Sequence, residues 1–135
     1  MKIFNSYTNK LEEFVPVHKG KVNMYVCGPT VYNYIHIGNA RPVIFFDTVR
    51  RYFEHRGYEV KFASNFTDVD DKIITKAIEL EQTEIEVTNH FIDAFLKDVE
   101  KVNSKTDYIK PRVTDYMDKI VDYIARLIDE GFAYS

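Results

Sequence analysis

The segment MYVCGPTVYNYIHIGNAR, residues 24–41, decides the fold that we predict for this chain of 135 residues. It begins inside the apolar run Lys21–Val26, which predicts a short strand. A Cys-Gly-Pro sequence then ends the strand, because Gly-Pro pairs are typical of turns. After a loop, Asn39 is predicted to cap a helix and Pro42 to lie in its first turn.

The following residues predict a helix and a second strand parallel to the first. Apolar residues continue at helical spacing until Gly57, and glycine is the residue that most often ends a helix. Residues 59–65 alternate between polar and apolar side chains, as strands with one buried face do. A helix of this length between two strands favours a parallel βαβ unit.

The rest of the chain is predicted to be helical. Residues 68–81 form a helix with aspartates capping its start, and Thr83 with Glu86 matches the capping box of a long amphipathic helix. Residues 103–112 read as a polar connector, and Thr114 opens a last helix. The apolar residues expected to face inward from this last helix are Tyr116, Met117, Ile120, Ile124, Leu127 and Ile128. Because a lone βαβ unit has open strand edges, the sequence is expected to be the front part of a larger protein.

Composition indicates a folded protein and says little about partners. Hydrophobic residues make up 45% and charged residues 29% of the chain, which argues against disorder. No apolar run is long enough to span a bilayer, so no membrane partner is expected. The net charge of -3 lacks the basic excess of a dedicated nucleic-acid module. Since one cysteine cannot form an internal disulfide, the reducing cytoplasm is the expected location.

The predicted strand end and helix start together indicate a ligand site. Cys27 lies at the carboxyl end of the first strand, where open α/β sheets bind ligands. Gly38 and Asn39, at the helix start, are expected to offer unpaired N–H groups and a positive dipole end to a phosphate. His36 can donate a hydrogen bond to a phosphate oxygen where negative charge develops. Taken singly, a cysteine is usually a small hydrophobe and a histidine an ordinary surface or capping residue. Taken together, Cys27 and His36 are predicted to open into one cleft that holds a triphosphate.

Three motifs carry a resemblance to a known family. CGPTVY, HIGN and FTDVDDK follow one another, between KIFNSYTNK near the start and PRVTDYMDKIVDYIARLIDEGFAY near the end. Over essentially its whole length the sequence resembles the N-terminal catalytic region of cysteinyl-tRNA synthetases, class I enzymes whose HIGH signature corresponds to HIGN. The resemblance implies an α/β, Rossmann-like parallel sheet. Residues 1–81 would form the first half of the nucleotide-binding fold, and residues 82–135 a helical segment that starts the connective insertion.

The resemblance also implies a reaction and the residues that perform it. Cysteine and ATP, with magnesium, would give cysteinyl-adenylate, and the cysteinyl group would then pass to tRNA(Cys). Cys27 would be one ligand of a zinc ion that binds the substrate thiolate, and zinc prefers sulfur and nitrogen donors. Cys27, Gly28 and Thr67 would bind the substrate cysteine, and His36 with Asn39 would be catalytic. The residues implied in ATP binding are Pro29, Thr30, His36, Ile37, Gly38 and Asn39.

Several features of the family are absent from this sequence. Asn39 replaces the second histidine of HIGH, although an asparagine can still donate hydrogen bonds. The Lys-Met-Ser-Lys-Ser loop that contacts ATP, the other zinc ligands and the anticodon-binding domain are missing. We therefore expect the chain alone neither to complete catalysis nor to bind tRNA(Cys) tightly. Two alternatives stay open. One is a related ligase that joins cysteine to an amino sugar, and the other is a non-catalytic paralogue that binds nucleotide or a partner protein.

Overall fold

The computed structural model describes residues 1–134, and four α-helices and two small sheets account for most of them. The elements are β1 (Lys2–Asn5), β2 (Lys10–Glu13), β3 (Lys21–Val26), α1 (Ile37–His55), β4 (Glu59–Ser64), α2 (Asp71–Leu80), α3 (Glu84–Lys101), a single 3-10 turn (Thr114–Tyr116) and α4 (Met117–Asp129). Ser135, the last residue of the predicted segment 82–135, lies outside the described residues, and the division of the chain at residue 81 stays a prediction. Among the described residues, no helix combines the length and the apolar character needed to cross a bilayer.

The predicted parallel βαβ unit is confirmed. β3 and β4 run parallel in register from Lys21 opposite Glu59 to Val26 opposite Ser64, and α1 connects them. Residues 109–113 run parallel along the other side of β4 and of the segment after it, and exchange backbone hydrogen bonds with residues 62–66. β4 is therefore the middle of three parallel segments, and all three end at the same edge.

An N-terminal hairpin was not predicted from the sequence. β1 and β2 pair antiparallel, and Asn9 in the turn has a φ of 54°. Their side chains are almost all exposed, so the strands lack the apolar alternation that identifies a half-buried strand. Phe14, directly after β2, anchors the hairpin to α1, because its ring lies 5.0 Å from that of Phe53.

The start of α1 differs from the prediction. The helix begins at Ile37 and its N-cap is His36, which has extended backbone angles. Asn39 as N-cap is therefore wrong, and Pro42 lies in the second turn rather than the first. Asparagine ranks among the best capping residues and histidine does not, so the local preference favoured the wrong position.

The caps predicted for the next two helices are confirmed. The Lys72 N–H donates to Asp70 Oδ1 at 2.9 Å at the start of α2, and Thr83 and Glu86 form a reciprocal capping box on α3. These helices pack against each other and against the strand exits. The buried cluster that results consists of Val31, Phe66, Ala77, Val87, Phe91, Ile92, Phe95 and Val99. It holds the loop after β3 and the segment after β4 in fixed positions.

The predicted inward face of α4 is wrong. No residue of this helix is buried, and Ile124 is 48% exposed although it lies in the middle of the apolar face. The helical period was identified correctly, because Met117–Asp129 is helical and Gly131 has the positive φ of a helix end. A periodic pattern shows which side of a helix is apolar, and it does not show what covers that side.

Candidate functional site

The candidate site lies where β3 and β4 end, and backbone hydrogen bonds join the two exits. The Thr67 N–H donates to the Pro29 carbonyl at 3.0 Å, and Thr30 and Thr67 form a parallel bridge. The pairing of the two strands is thus resumed beyond their ends. It brings Cys27 and Gly28, on one exit, to the same edge as Thr67 on the other.

Gly28 lies against the backbone of the β4 exit. A Cβ at this position would stand only 1.6 Å from the Asn65 carbonyl oxygen, so no larger residue fits without a backbone shift. The Gly28 N–H donates to Asn65 Oδ1 at 2.9 Å, and Asn65 Nδ2 donates to Thr67 Oγ1 at 3.2 Å. Asn65, which the sequence did not single out, therefore connects two predicted substrate-binding residues. No sequence pattern would have identified this role, because an asparagine directly after an apolar strand is not distinctive.

Cys27 is exposed and lines a cavity of about 110 Å³. The β3 exit forms one wall, the first turns of α1 form another, and the rings of Phe46, Phe62 and Tyr108 make much of the remaining lining apolar. The thiol is thus accessible to a small ligand and is not sealed in the core.

A buried arginine, Arg50, is one of the polar residues that line this cavity. Arg50 is 7% exposed, and its guanidinium donates to both carboxylate oxygens of Asp107, at 3.0 and 3.3 Å, and to Glu54 at 3.0 Å. Burial opposes the charge of Arg50, but Asp107 and Glu54 outweigh it and raise the pKa of the guanidinium. A hydrogen bond from Lys105, at 2.6 Å, and then one from Arg50 lower the pKa of Glu54. The cluster fastens the connector after α3 to α1 and so fixes the shape of the cavity.

The His36 side chain caps α1 in a way that determines its tautomer. Nδ1 accepts a hydrogen bond from the Gly38 N–H at 3.1 Å. A ring nitrogen that accepts carries no proton, so the neutral imidazole holds its proton on Nε2. Glycine at position 38 makes room for this cap, because a Cβ there would stand 2.8 Å from His36 Cε1. Nε2 has no hydrogen-bond partner within residues 1–134, and His36 is exposed, so this N–H can donate to a ligand.

The backbone donors predicted at the helix start are already in use. The Asn39 and Ala40 N–H groups both donate to the His36 carbonyl, at 2.9 and 3.0 Å, and the Gly38 N–H donates to the imidazole. The expectation that Gly38 and Asn39 offer unpaired N–H groups to a phosphate is therefore wrong. The positive end of the helix dipole, the Nε2 donor of His36 and the exposed side chain of Asn39 remain at this end.

His36 lines a second cavity, of about 290 Å³, that adjoins the first. Pro29, Asn39 and Phe95 line both cavities, so these three residues lie between the cavity of Cys27 and that of His36. The structure thus places the two residues in adjoining cavities, where the sequence predicted one cleft. Ile37 is 84% exposed and lines neither cavity.

The acidic residues near the site have structural partners. Asp68 is 6% exposed and accepts a hydrogen bond from the Thr114 N–H at 3.1 Å, which ties the β4 exit to the segment before α4. Asp70 caps α2. Across residues 1–134, no three histidine, cysteine, aspartate or glutamate side chains gather in an arrangement that could hold a metal ion. Cys27 is therefore a single candidate donor rather than part of an assembled metal site.

Sequence comparisons show what this chain is similar to. Residues 13–135 match the model of the family described as the catalytic domain of class I (C) tRNA synthetases. Over 134 residues the chain is 58% identical to the cysteine–tRNA ligase of Listeria welshimeri and 57% identical to that of Lactobacillus gasseri. Both alignments cover 99% of this chain and 28% of the relative. The chain thus spans less than a third of the length of these curated relatives.

A solved structure has the same fold. LeuRS of Agrobacterium radiobacter K84, crystallised in a ternary complex with tRNA and LeuAMS, aligns with a TM-score of 0.62 at 20% identity. The alignment covers 75% of this chain and 13% of that protein. Together with the family match, this likeness confirms the predicted α/β fold with a parallel sheet.

Proposed function

The chain belongs to the family of class I (C) tRNA synthetase catalytic domains, and from this premise we propose that it forms part of a site that activates cysteine with ATP. In the proposed reaction a carboxylate oxygen of cysteine attacks the α-phosphorus of ATP. The bond to the leaving pyrophosphate breaks, and cysteinyl-adenylate forms. The cysteinyl group is then transferred to tRNA(Cys), and AMP leaves. The chain alone is not expected to complete this sequence or to hold tRNA tightly.

The observation that carries the proposal is the His36 cap. Because Nδ1 is occupied by the Gly38 N–H, the neutral ring presents Nε2–H as a donor at the positive end of α1. A fixed donor near a triphosphate stabilises the charge that develops on the departing pyrophosphate. Asn39 lies between the two cavities and is proposed to contact ATP through its side-chain amide. Pro29 and Thr30 form the nearby wall of the ATP-binding cavity.

For the amino acid, we propose the edge formed by Cys27, Gly28 and Thr67, at which Cys27 is exposed and the other two residues are half-buried. Cys27 is the proposed zinc ligand, since zinc binds thiolates and can retain an open position for a substrate thiol. The described residues do not by themselves fit a zinc ion, because Cys27 has no companion donors among them. Further donors would have to come from elsewhere in the complete protein, and magnesium would enter with ATP. A reducing compartment, the cytoplasm, suits a reactive substrate thiol.

The test is cysteine-dependent exchange of pyrophosphate into ATP by the complete protein encoded by the gene. His36→Ala should lower the exchange rate about 100-fold or more, since one transition-state donor is lost. His36→Asn keeps a capping acceptor, and its shorter amide cannot place a donor where Nε2–H lies, so it should be nearly as impaired. His55→Ala, which removes an exposed histidine from the last turn of the same helix, is the matched control and should stay within about twofold of the unmodified protein.

Each outcome has a clear interpretation. Absence of cysteine-dependent exchange in the complete protein would exclude the proposed activation and favour a non-catalytic binding role. Exchange together with transfer of cysteine to an amino sugar, and none to tRNA(Cys), would identify the related ligase. Full activity of His36→Asn would show that the cap, and not the Nε2 donor, is what the reaction needs.

A further inference from the structure

We propose that Asn65 is a positioning residue that orients the Thr67 hydroxyl to donate a hydrogen bond to the bound amino acid. This inference rests on the proposed function, because it concerns the substrate-binding side of the same site. It starts from three hydrogen bonds made by one side-chain amide. Asn65 bonds to Gly28 on the β3 exit, to Thr67 on its own exit and to Tyr25 in β3.

The orientation of the Asn65 amide is fixed by its neighbours. The Gly28 backbone N–H can only donate, so the atom it meets at 2.9 Å must be the carbonyl oxygen Oδ1. The Tyr25 hydroxyl, at 3.0 Å from the same oxygen, then also donates. A flipped amide would point two N–H hydrogens at a backbone N–H, and this repulsion excludes it.

With Oδ1 placed in this way, Nδ2 points at Thr67 Oγ1, 3.2 Å away. Nδ2 can only donate, so one lone pair of the threonine hydroxyl is occupied and its hydrogen must point elsewhere. A hydroxyl whose hydrogen is turned away from its protein partner can donate to a substrate oxygen. The carboxylate of the substrate amino acid can accept this hydrogen bond from the Thr67 hydroxyl. A donor group of the substrate could use only the one remaining lone pair of Thr67 Oγ1.

The junction is rigid enough to impose this polarity. Asn65 and Thr67 are both half-buried, and the Asn65 carbonyl lies so close to Gly28 that a Cβ there would stand 1.6 Å from it. The Thr67 backbone is held by its own hydrogen bond to Pro29. Neither partner can therefore move away from the other without disturbing the pairing between the two exits.

The discriminating variant is Asn65→Asp in the complete protein. A carboxylate of the same shape still accepts from Gly28, but its second oxygen accepts from Thr67 and turns the hydroxyl hydrogen away from the substrate. In pyrophosphate exchange, kcat/KM for cysteine should fall about tenfold or more, while KM for ATP should stay within about twofold. Tyr25→Phe, which removes the exposed third partner of Asn65, is the control and should stay within about twofold on both measures.

A double-mutant cycle with Thr67→Val separates this mechanism from a simple effect of added charge. If Asn65 acts through the hydroxyl, Asn65→Asp should cause little further loss once Thr67→Val is present. Equal losses in both backgrounds, or an unchanged kcat/KM for cysteine in Asn65→Asp alone, would overturn the inference. If Asn65→Asp does not fold, as judged by circular dichroism, Asn65→Ser takes its place in the cycle, because serine is too short to reach Thr67. An unmodified protein without cysteine-dependent exchange would instead count against the proposed function.

Discussion

Replacing Gly28 by alanine tests the close contact between the two strand exits. The backbone of Gly28 does not require positive φ, so glycine is needed for space and not for conformation. The added Cβ would lie 1.6 Å from the Asn65 carbonyl oxygen, which is backbone and cannot rotate away. Overpacking costs about 1–3 kcal/mol, and a clash with backbone belongs at the upper end of that range. Weakening of the hydrogen bond from Gly28 to Asn65 adds about 1 kcal/mol.

The expected loss for Gly28→Ala is therefore about 4 kcal/mol in the free energy of unfolding, measured by urea unfolding. Gly57→Ala is the matched control, because Gly57 has a φ of 84° and nothing within 4 Å of an added Cβ. That variant should lose only about 1–2 kcal/mol from backbone strain. A loss for Gly28→Ala no larger than that for Gly57→Ala would refute the reasoning, since it would show that the exits separate easily.

Three further predictions concern capping and charge. Thr83→Ala should lower the free energy of unfolding by about 1 kcal/mol in urea, because α3 loses its cap. Arg50→Met should cost about 2 kcal/mol by the same measurement, which is less than for a fully buried ion pair because the Asp107 side chain is 74% exposed. The hydrogen bond from Lys105, and then that from Arg50, lower the pKa of Glu54. Above its ordinary pKa of 4.5, ionised Glu54 therefore stabilises the fold, and this stabilisation is lost as the pH falls through the lowered pKa of Glu54 in the folded protein. Glu54→Gln should therefore flatten the acid side of a plot of melting temperature against pH.

Local signals predicted much of the fold. The strand and the helix around residues 24–41 and the caps at Asp70 and Thr83 were confirmed because each depends on a few neighbouring residues. The turn predicted at Gly28-Pro29 was wrong, because the chain continues past β3 and pairs again at Thr30 with Thr67. Residues 109–113, which form the third parallel segment, were interpreted as part of a polar connector. Their pairing partner β4 lies far away in sequence, so no local signal indicates the pairing. The exposed hairpin β1–β2 left no apolar alternation to detect.

The site was predictable in its residues and less so in its contacts. The motifs pointed to Cys27 and His36, but a motif does not reveal that the imidazole caps its own helix and thereby uses the backbone donors expected for phosphate. The role of Asn65 could not be derived either, because it depends on Gly28, which reaches it only after the two strands have paired. A contact between distant segments becomes visible only when the fold is known.

The arrangement of the three parallel segments has a consequence for how the chain folds during synthesis. β4 lies between two parallel neighbours. Its partner β3, in which Lys21 pairs with Glu59, is synthesised before it, and its partner segment 109–113, in which Ile109 pairs with Ala63, is synthesised long after it. Until residue 113 has left the ribosome, one side of β4 has no partner, and such unpaired edges expose a nascent chain to aggregation. Slowing translation just before residues 109–113 should therefore lower the yield of folded protein more than slowing it after them.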